Sequence, residues 1–219
     1  MKKKIFIAID TKNIRKAKKI IKDTNSNKFK IGYKFGSEFF NSINGRKFIK
    51  KIKKKIIFVD LKLNDIPNTM KSTVDALKDI NINYLTIHIS AGFKALRSVK
   101  KNSGRVKIVG VTTLTSLDNK DLKMIGYNKK VKDLVVHQAK LASKAKLDAV
   151  VCSPHEVSSV RKIFKREIIT PGIKIQKSAY DQKRTMSPTK INSDWLVIGR
   201  AITVGNIKKN MQKLNNFFK

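Results

Sequence analysis

Short apolar runs recur along the chain at 4–10 (KIFIAID), 28–33 (KFKIGY), 55–62 (KIIFVDLK), 84–90 (YLTIHIS), 106–113, 148–153 (DAVVCS), 167–171 (EIITP) and 195–200 (WLVIGR). Their β-branched and aromatic content, with apolar residues on both faces, predicts buried parallel strands. Between them lie segments with apolar positions at helical spacing, among them 12–22, 36–52, 67–80, 130–146, 155–165 and 205–218. Strand–helix alternation carried eight times predicts an α/β fold with a parallel sheet, and eight βα units in one domain point to a closed (β/α)₈ TIM barrel spanning residues 1–219. No G-x-G-x-x-G follows the first run, which weighs against an open nucleotide-binding sheet.

A barrel places its chemistry at the C-terminal ends of the strands. The polar residues are expected to obey that rule: the runs end in Asp10, the Lys30 region, Asp60 and Lys62, His88 and Ser90, Thr112 to Ser116, Ser153, Thr170 and Gly172, and Gly199 with Arg200. Lys30 is a further lysine inside an apolar run.

Composition changes this picture little. At 219 residues and 41% hydrophobic content the chain can bury a sizeable core. One cysteine leaves no internal disulfide framework and no multi-cysteine zinc site, and three scattered histidines give no metal spacing, so no metal is expected. No apolar run is long enough to span a membrane or form a signal-peptide core, so a cytoplasmic protein without a membrane partner is expected. The net charge of +35 invites a nucleic-acid reading. The lysines are dispersed along the whole chain, however, without aromatic interleaving or finger spacing, so a specific nucleic-acid partner is not expected.

The densest chemistry lies at 56–69, IIFVDLKLNDIPNT. Alternation along a strand puts Phe58, Asp60 and Lys62 on one face, with Asp65 just past the strand and Pro67 opening the next helix. Two acids around a lysine can hold it charged and fixed. The spacing alone is equally satisfied by a structural ion pair capping a strand.

The string DLKLNDIPNT resembles, nearly letter for letter, the D-x-K-x-x-D-I-P-N-T signature of the orotidine 5′-monophosphate decarboxylase family, of the bacterial type. The rest of the chain follows in order: IAID at 7–10, KIG at 30–32 against the family's K-V-G, HISAG at 88–92, VTTLTS at 111–116, TPGI at 170–173, DQKR at 181–184 and IGR at 198–200. The resemblance implies a homodimeric barrel, with no metal and no organic cofactor, that converts orotidine monophosphate to uridine monophosphate and CO₂. It implies Lys62 as the general acid at C6 and Asp60 beside the departing carboxylate. Lys30 would pair with Asp60 and reach the ribose, and Asp10 would contact substrate. Asp65, with Ile66 and Thr69, would enter the partner subunit's site. Thr115 would face the pyrimidine, and Gln182, Gly199 and Arg200 the phosphate end, with 174–188 as a lid. The family usually carries Arg after T-P-G-I where this chain has Lys174, which cannot reproduce a two-pronged contact.

Two other readings are open. The same barrel and D-x-K-x-x-D motif serve magnesium-dependent sugar-phosphate decarboxylases and aldolases, but I-P-N-T, V-T-x-L-T-S and D-Q-x-R favour the nucleotide. A basic polyanion-binding barrel without activity is the other. Cys152 and Trp195 read as packing, and His88 as a hydrogen-bonded packing residue.

Overall fold

The computed structural model describes residues 2–173 and 191–218. Eight strands form one closed barrel in sequence order: β1 (Lys4–Ile9), β2 (Lys30–Gly36), β3 (Ile56–Leu63), β4 (Tyr84–His88), β5 (Lys107–Val111), β6 (Ala149–Val151), β7 (Glu167–Thr170) and β8 (Trp195–Ile198). All neighbours are parallel, and β8 closes on β1 through Lys4 opposite Trp195.

Helices cover the outside: α1 (Ile14–Asp23), α2 (Ser37–Phe40), α3 (Gly45–Lys51), α4 (Pro67–Ala76), α5 (Phe93–Asn102), α6 (Asn119–Met124), α7 (Val131–Lys144), α8 (Val157–Ile163), α9 (Arg200–Thr203) and α10 (Ile207–Phe217). The expected (β/α)₈ barrel is therefore present, with two local differences. The helical pattern at 36–52 is broken into α2 and α3, because the chain turns at 41–44 and Gly45 packs directly on Phe39. A Cβ at Gly45 would stand 1.7 Å from the Phe39 carbonyl oxygen. The second strand runs 30–36 rather than 28–33, a shift with consequences for the site.

The two faces of each strand serve different cores. Outward-facing Ile5, Ile7, Val59, Leu85 and Ile108 pack under the helices. Inward-facing Phe6, Ala8, Phe58, Tyr84, Val109, Ala149, Ile169, Trp195 and Val197 fill the barrel. Phe6 stacks on Trp195 with ring centroids 4.0 Å apart and meets Phe58 at 4.9 Å and Tyr84 at 5.2 Å. Gly32 makes room for this plug, since a Cβ there would sit 2.5 Å from the Phe6 ring. At the N-terminal rim Glu167 accepts hydrogen bonds from the Tyr84 hydroxyl (2.9 Å) and the Trp195 indole (3.3 Å), so the polar edges of the aromatics are satisfied. The plug occupies the lower half of the barrel. Small Ala8 above Phe6 leaves the upper half open.

Candidate active site

A cavity of about 260 Å³ opens at the C-terminal end of the barrel, above Phe58 and Ala8. Its wall has two chemically distinct halves. Strands β1 to β3 contribute Asp10, Lys34, Asp60 and Lys62, whereas the β5 to β8 side contributes Val111, Val151, Ile173 and Val197. Thr113 and Thr115, beyond β5, and Gly199 and Arg200, beyond β8, complete the rim.

The charged half follows from strand parity. Phe6, Ala8 and Asp10 share the inward side of β1, Gly32 and Lys34 that of β2, and Phe58 and Asp60 that of β3. Lys34 lies opposite Ala8 on one side and Phe58 on the other, which lifts its ammonium to the level of the carboxylates. Lys34 Nζ stands 3.2 Å from Asp60 Oδ2 and 3.6 Å from Asp10 Oδ1. Lys62 Nζ donates to the same Asp60 Oδ2 at 3.0 Å. The four groups thus alternate in sign along one wall.

Burial works against charge on both central members, with side chains only 14% exposed at Lys34 and 11% at Asp60. For Asp60 burial raises the pKa, but Lys34 and Lys62 and the hydrogen bonds from Lys62 and Thr86 outweigh it and hold the carboxyl below its ordinary value. For Lys34 burial again opposes the ion, and Asp60 and Asp10 prevail, so its pKa is raised. Both groups are charged at neutral pH. His88, at the end of β4, is pushed down by burial and then by the charge of Lys62, with Asp60 opposing.

The sequence expectation for Lys30 is corrected here. Lys30 faces the barrel interior but opens β2 at the opposite end, exposed and in register with Lys4. It lies four residues, ~13 Å of strand, below Lys34. The pattern K-x-G occurs twice, at 30–32 and 34–36, and residues two or four apart on a strand share a face, so parity could not separate them. Strand position does, because only Lys34 reaches the C-terminal end.

Asp10, Asp60, Lys62, Thr115, Gly199 and Arg200 all line the cavity. Gly199 permits close packing of its backbone on Asp10, since a Cβ would stand 3.2 Å from Asp10 Oδ2. Asp65, Ile66 and Thr69 do not line it; they are exposed around the start of α4, with Ile66 66% exposed. Lys174, Gln182 and the segment 174–188 fall outside the described residues. Cys152 and Trp195 are buried in packing, as expected. Among the described residues no three His, Cys, Asp or Glu side chains gather where a metal ion could be held, and no helix is long and apolar enough to cross a membrane.

Sequence reasoning missed Lys34 and Thr86. Thr86 donates to Asp60 Oδ1 at 2.9 Å and accepts from the Lys62 backbone N–H at 2.8 Å. Its position two residues after inward-facing Tyr84 was the available signal.

Residues 3–210 match the profile of the Orotidine 5'-phosphate decarboxylase / HUMPS family. The chain is 43% identical over 211 residues to orotidine 5′-phosphate decarboxylase of Wolbachia pipientis subsp. Culex pipiens, covering 91% of each chain. It is 37% identical over 224 residues to that of Buchnera aphidicola subsp. Schizaphis graminum, covering 97% of this chain and 93% of the relative. The crystal structure of orotidine 5′-phosphate decarboxylase from Lactobacillus acidophilus superposes with a TM-score of 0.84 at 28% identity, over 99% of both chains. With near-complete coverage in sequence and fold, the chain belongs to the orotidine 5′-phosphate decarboxylase / HUMPS family, and the enzyme is a carboxy-lyase.

Proposed function

We propose that the chain decarboxylates orotidine 5′-monophosphate to uridine 5′-monophosphate and CO₂, with Lys62 and Asp60 at the reacting carbon. The alternation of Asp10, Lys34, Asp60 and Lys62 on one wall, facing an apolar wall, carries this reading. Loss of CO₂ breaks the C6–carboxylate bond and leaves its electron pair on C6. A fixed ammonium is what the protein can offer to that developing charge. Lys62 Nζ, held 3.0 Å from Asp60 Oδ2, supplies it and then transfers its proton to C6, which yields the product and a neutral amine that regains a proton from water. Asp60 lies beside the carboxylate that leaves and orients Lys62, while Lys34 keeps Asp60 ionised and, with Asp10, faces the ribose.

The apolar residues Val111, Val151 and Val197 suit the flat face of a pyrimidine, and Thr115 its polar edge. Arg200, on the cavity rim just beyond β8, offers a two-pronged contact to phosphate. Lys174 and Gln182 are assigned to the same phosphate end. A homodimer completes the site: Asp65, Ile66 and Thr69 lie exposed outside their own chain's cavity, as residues serving a neighbouring subunit would.

The test is loss of the orotidine monophosphate chromophore on addition of purified protein in the presence of EDTA. Turnover without metal supports the nucleotide reaction. Activity only with added Mg²⁺, on sugar phosphates, would replace it by the sugar-phosphate chemistry of the same barrel.

A further inference from the structure

The β3–β4 ladder is irregular at the site. Val59 pairs with Leu85 and Leu63 with Ile87, so Asp60, Leu61 and Lys62 together span the single residue Thr86. Such an excess bends the strand and leaves its backbone groups unpaired. Lys62 takes up the slack with φ +51°, a conformation that costs a side-chain-bearing residue about 1–3 kcal/mol unless its surroundings enforce it. Regular alternation alone therefore does not set the direction of Lys62.

Thr86 is 1% exposed and its hydroxyl fills the gap in the ladder. The Lys62 N–H can only donate, so the hydroxyl accepts there, at 2.8 Å. Asp60 is ionised and can only accept, so the one hydroxyl proton goes to Asp60 Oδ1, at 2.9 Å. That leaves Oδ2, which receives Lys34 at 3.2 Å and Lys62 at 3.0 Å, as the oxygen facing both ammonium groups. One buried hydroxyl thus fixes the backbone that carries the proton donor and the rotation of the carboxylate that holds its ammonium.

We propose that Thr86 is a positioning residue for decarboxylation: its hydroxyl ties the strained Lys62 backbone to Asp60 and so sets the geometry between the Lys62 ammonium and the substrate carbon. This rests on the decarboxylase reading above. Thr86 lines no part of the cavity among the described residues, so its effect is on the chemical step and not on nucleotide affinity.

The experiment compares wild type with Thr86→Val, Thr86→Ala and Thr86→Ser in three readouts: kcat on orotidine monophosphate, Kd for uridine monophosphate, and hydrogen exchange of the Lys62 amide by NMR. Valine nearly preserves shape, and alanine provides a second hydroxyl-free variant should valine fold poorly. Both are expected to lose about 10²-fold in kcat, the scale of an ångström-level misplacement. Uridine monophosphate binding should stay within about threefold, and the Lys62 amide should exchange faster. Serine restores the hydroxyl and should recover most of kcat and the slow amide. A hydroxyl-free variant with wild-type kcat overturns the proposal, as does a serine variant as impaired as valine, or a loss of kcat matched by loss of nucleotide binding. No turnover by folded wild type would overturn the decarboxylase reading instead. The amide exchange needs no turnover and still decides whether Thr86 holds the bulge.

Discussion

The reassignment from Lys30 to Lys34 makes a sharp prediction. Lys34→Met retains the aliphatic stem and removes the charge between Asp10 and Asp60. At 3.2 Å and an effective dielectric constant of about 20, the attraction removed from Asp60 is about 5 kcal/mol. Relief from burying the ammonium offsets part of it. Breaking a buried pair by removing one partner costs about 3–5 kcal/mol, and Asp60 keeps Lys62 at 3.0 Å and Thr86 at 2.9 Å, which places the cost near the lower end. For a chain of this length about 3 kcal/mol corresponds to a Tm lower by about 6–12 °C. Because Asp60 also loses one of the two cations on Oδ2, kcat/KM should fall by about 10²-fold or more. Lys30→Met, at the exposed opposite rim, should leave activity unchanged and Tm within about 2 °C. Thermal unfolding followed by circular dichroism, together with the orotidine monophosphate assay, checks both variants. A Lys30→Met enzyme as impaired as Lys34→Met, or a Lys34→Met enzyme equal to wild type, would refute the assignment.

The proposed exchange of Asp65 across a dimer predicts complementation. Mixing inactive Lys62→Ala and Asp65→Ala chains should restore about a quarter of wild-type activity, because half of randomly assorted dimers are mixed and each carries one intact site of two; no recovery on mixing would place both residues in one subunit's site. Alkaline pH should weaken the barrel from its aromatic end. Burial first, and then the charge of Glu167, push the Tyr84 hydroxyl from 10.0 to about 12, so the native state favours its protonated form. That contribution is complete below pH 10 and is lost as pH rises through about 12. Tyrosinate absorbance should therefore show Tyr84 ionising well above pH 10, a step absent from Tyr84→Phe; ionisation near pH 10 in the folded protein would contradict it.

The architecture was legible because each strand–helix unit carries its own periodicity, and the cavity residues because barrel strands deliver polar side chains at one end. Asp10, Asp60 and Lys62 stand at strand ends in the sequence itself, and the structure gathers them in one cavity. Lys30 stands in the sequence where Lys34 stands in the site because face is a matter of parity whereas height is a matter of register, and register depends on pairing with Lys4 and Ile56 at the strand starts. For Thr86, parity marks the inward face two residues after Tyr84 but not what it meets there. Its role arises where two strands of unequal local length meet, and neither strand alone records the mismatch. The break between α2 and α3 likewise turns on a close backbone approach at Gly45 that apolar spacing does not encode.

The central claim is that the Lys62 ammonium, fixed by Asp60, provides the proton that replaces CO₂ on the pyrimidine. Its most direct test is release of ¹³CO₂ from carboxyl-labelled orotidine monophosphate, in EDTA, by wild type and by Lys62→Ala of matched fold and uridine monophosphate affinity. The account predicts metal-independent release by wild type and its collapse in the variant. Release by the variant at the wild-type rate would contradict it.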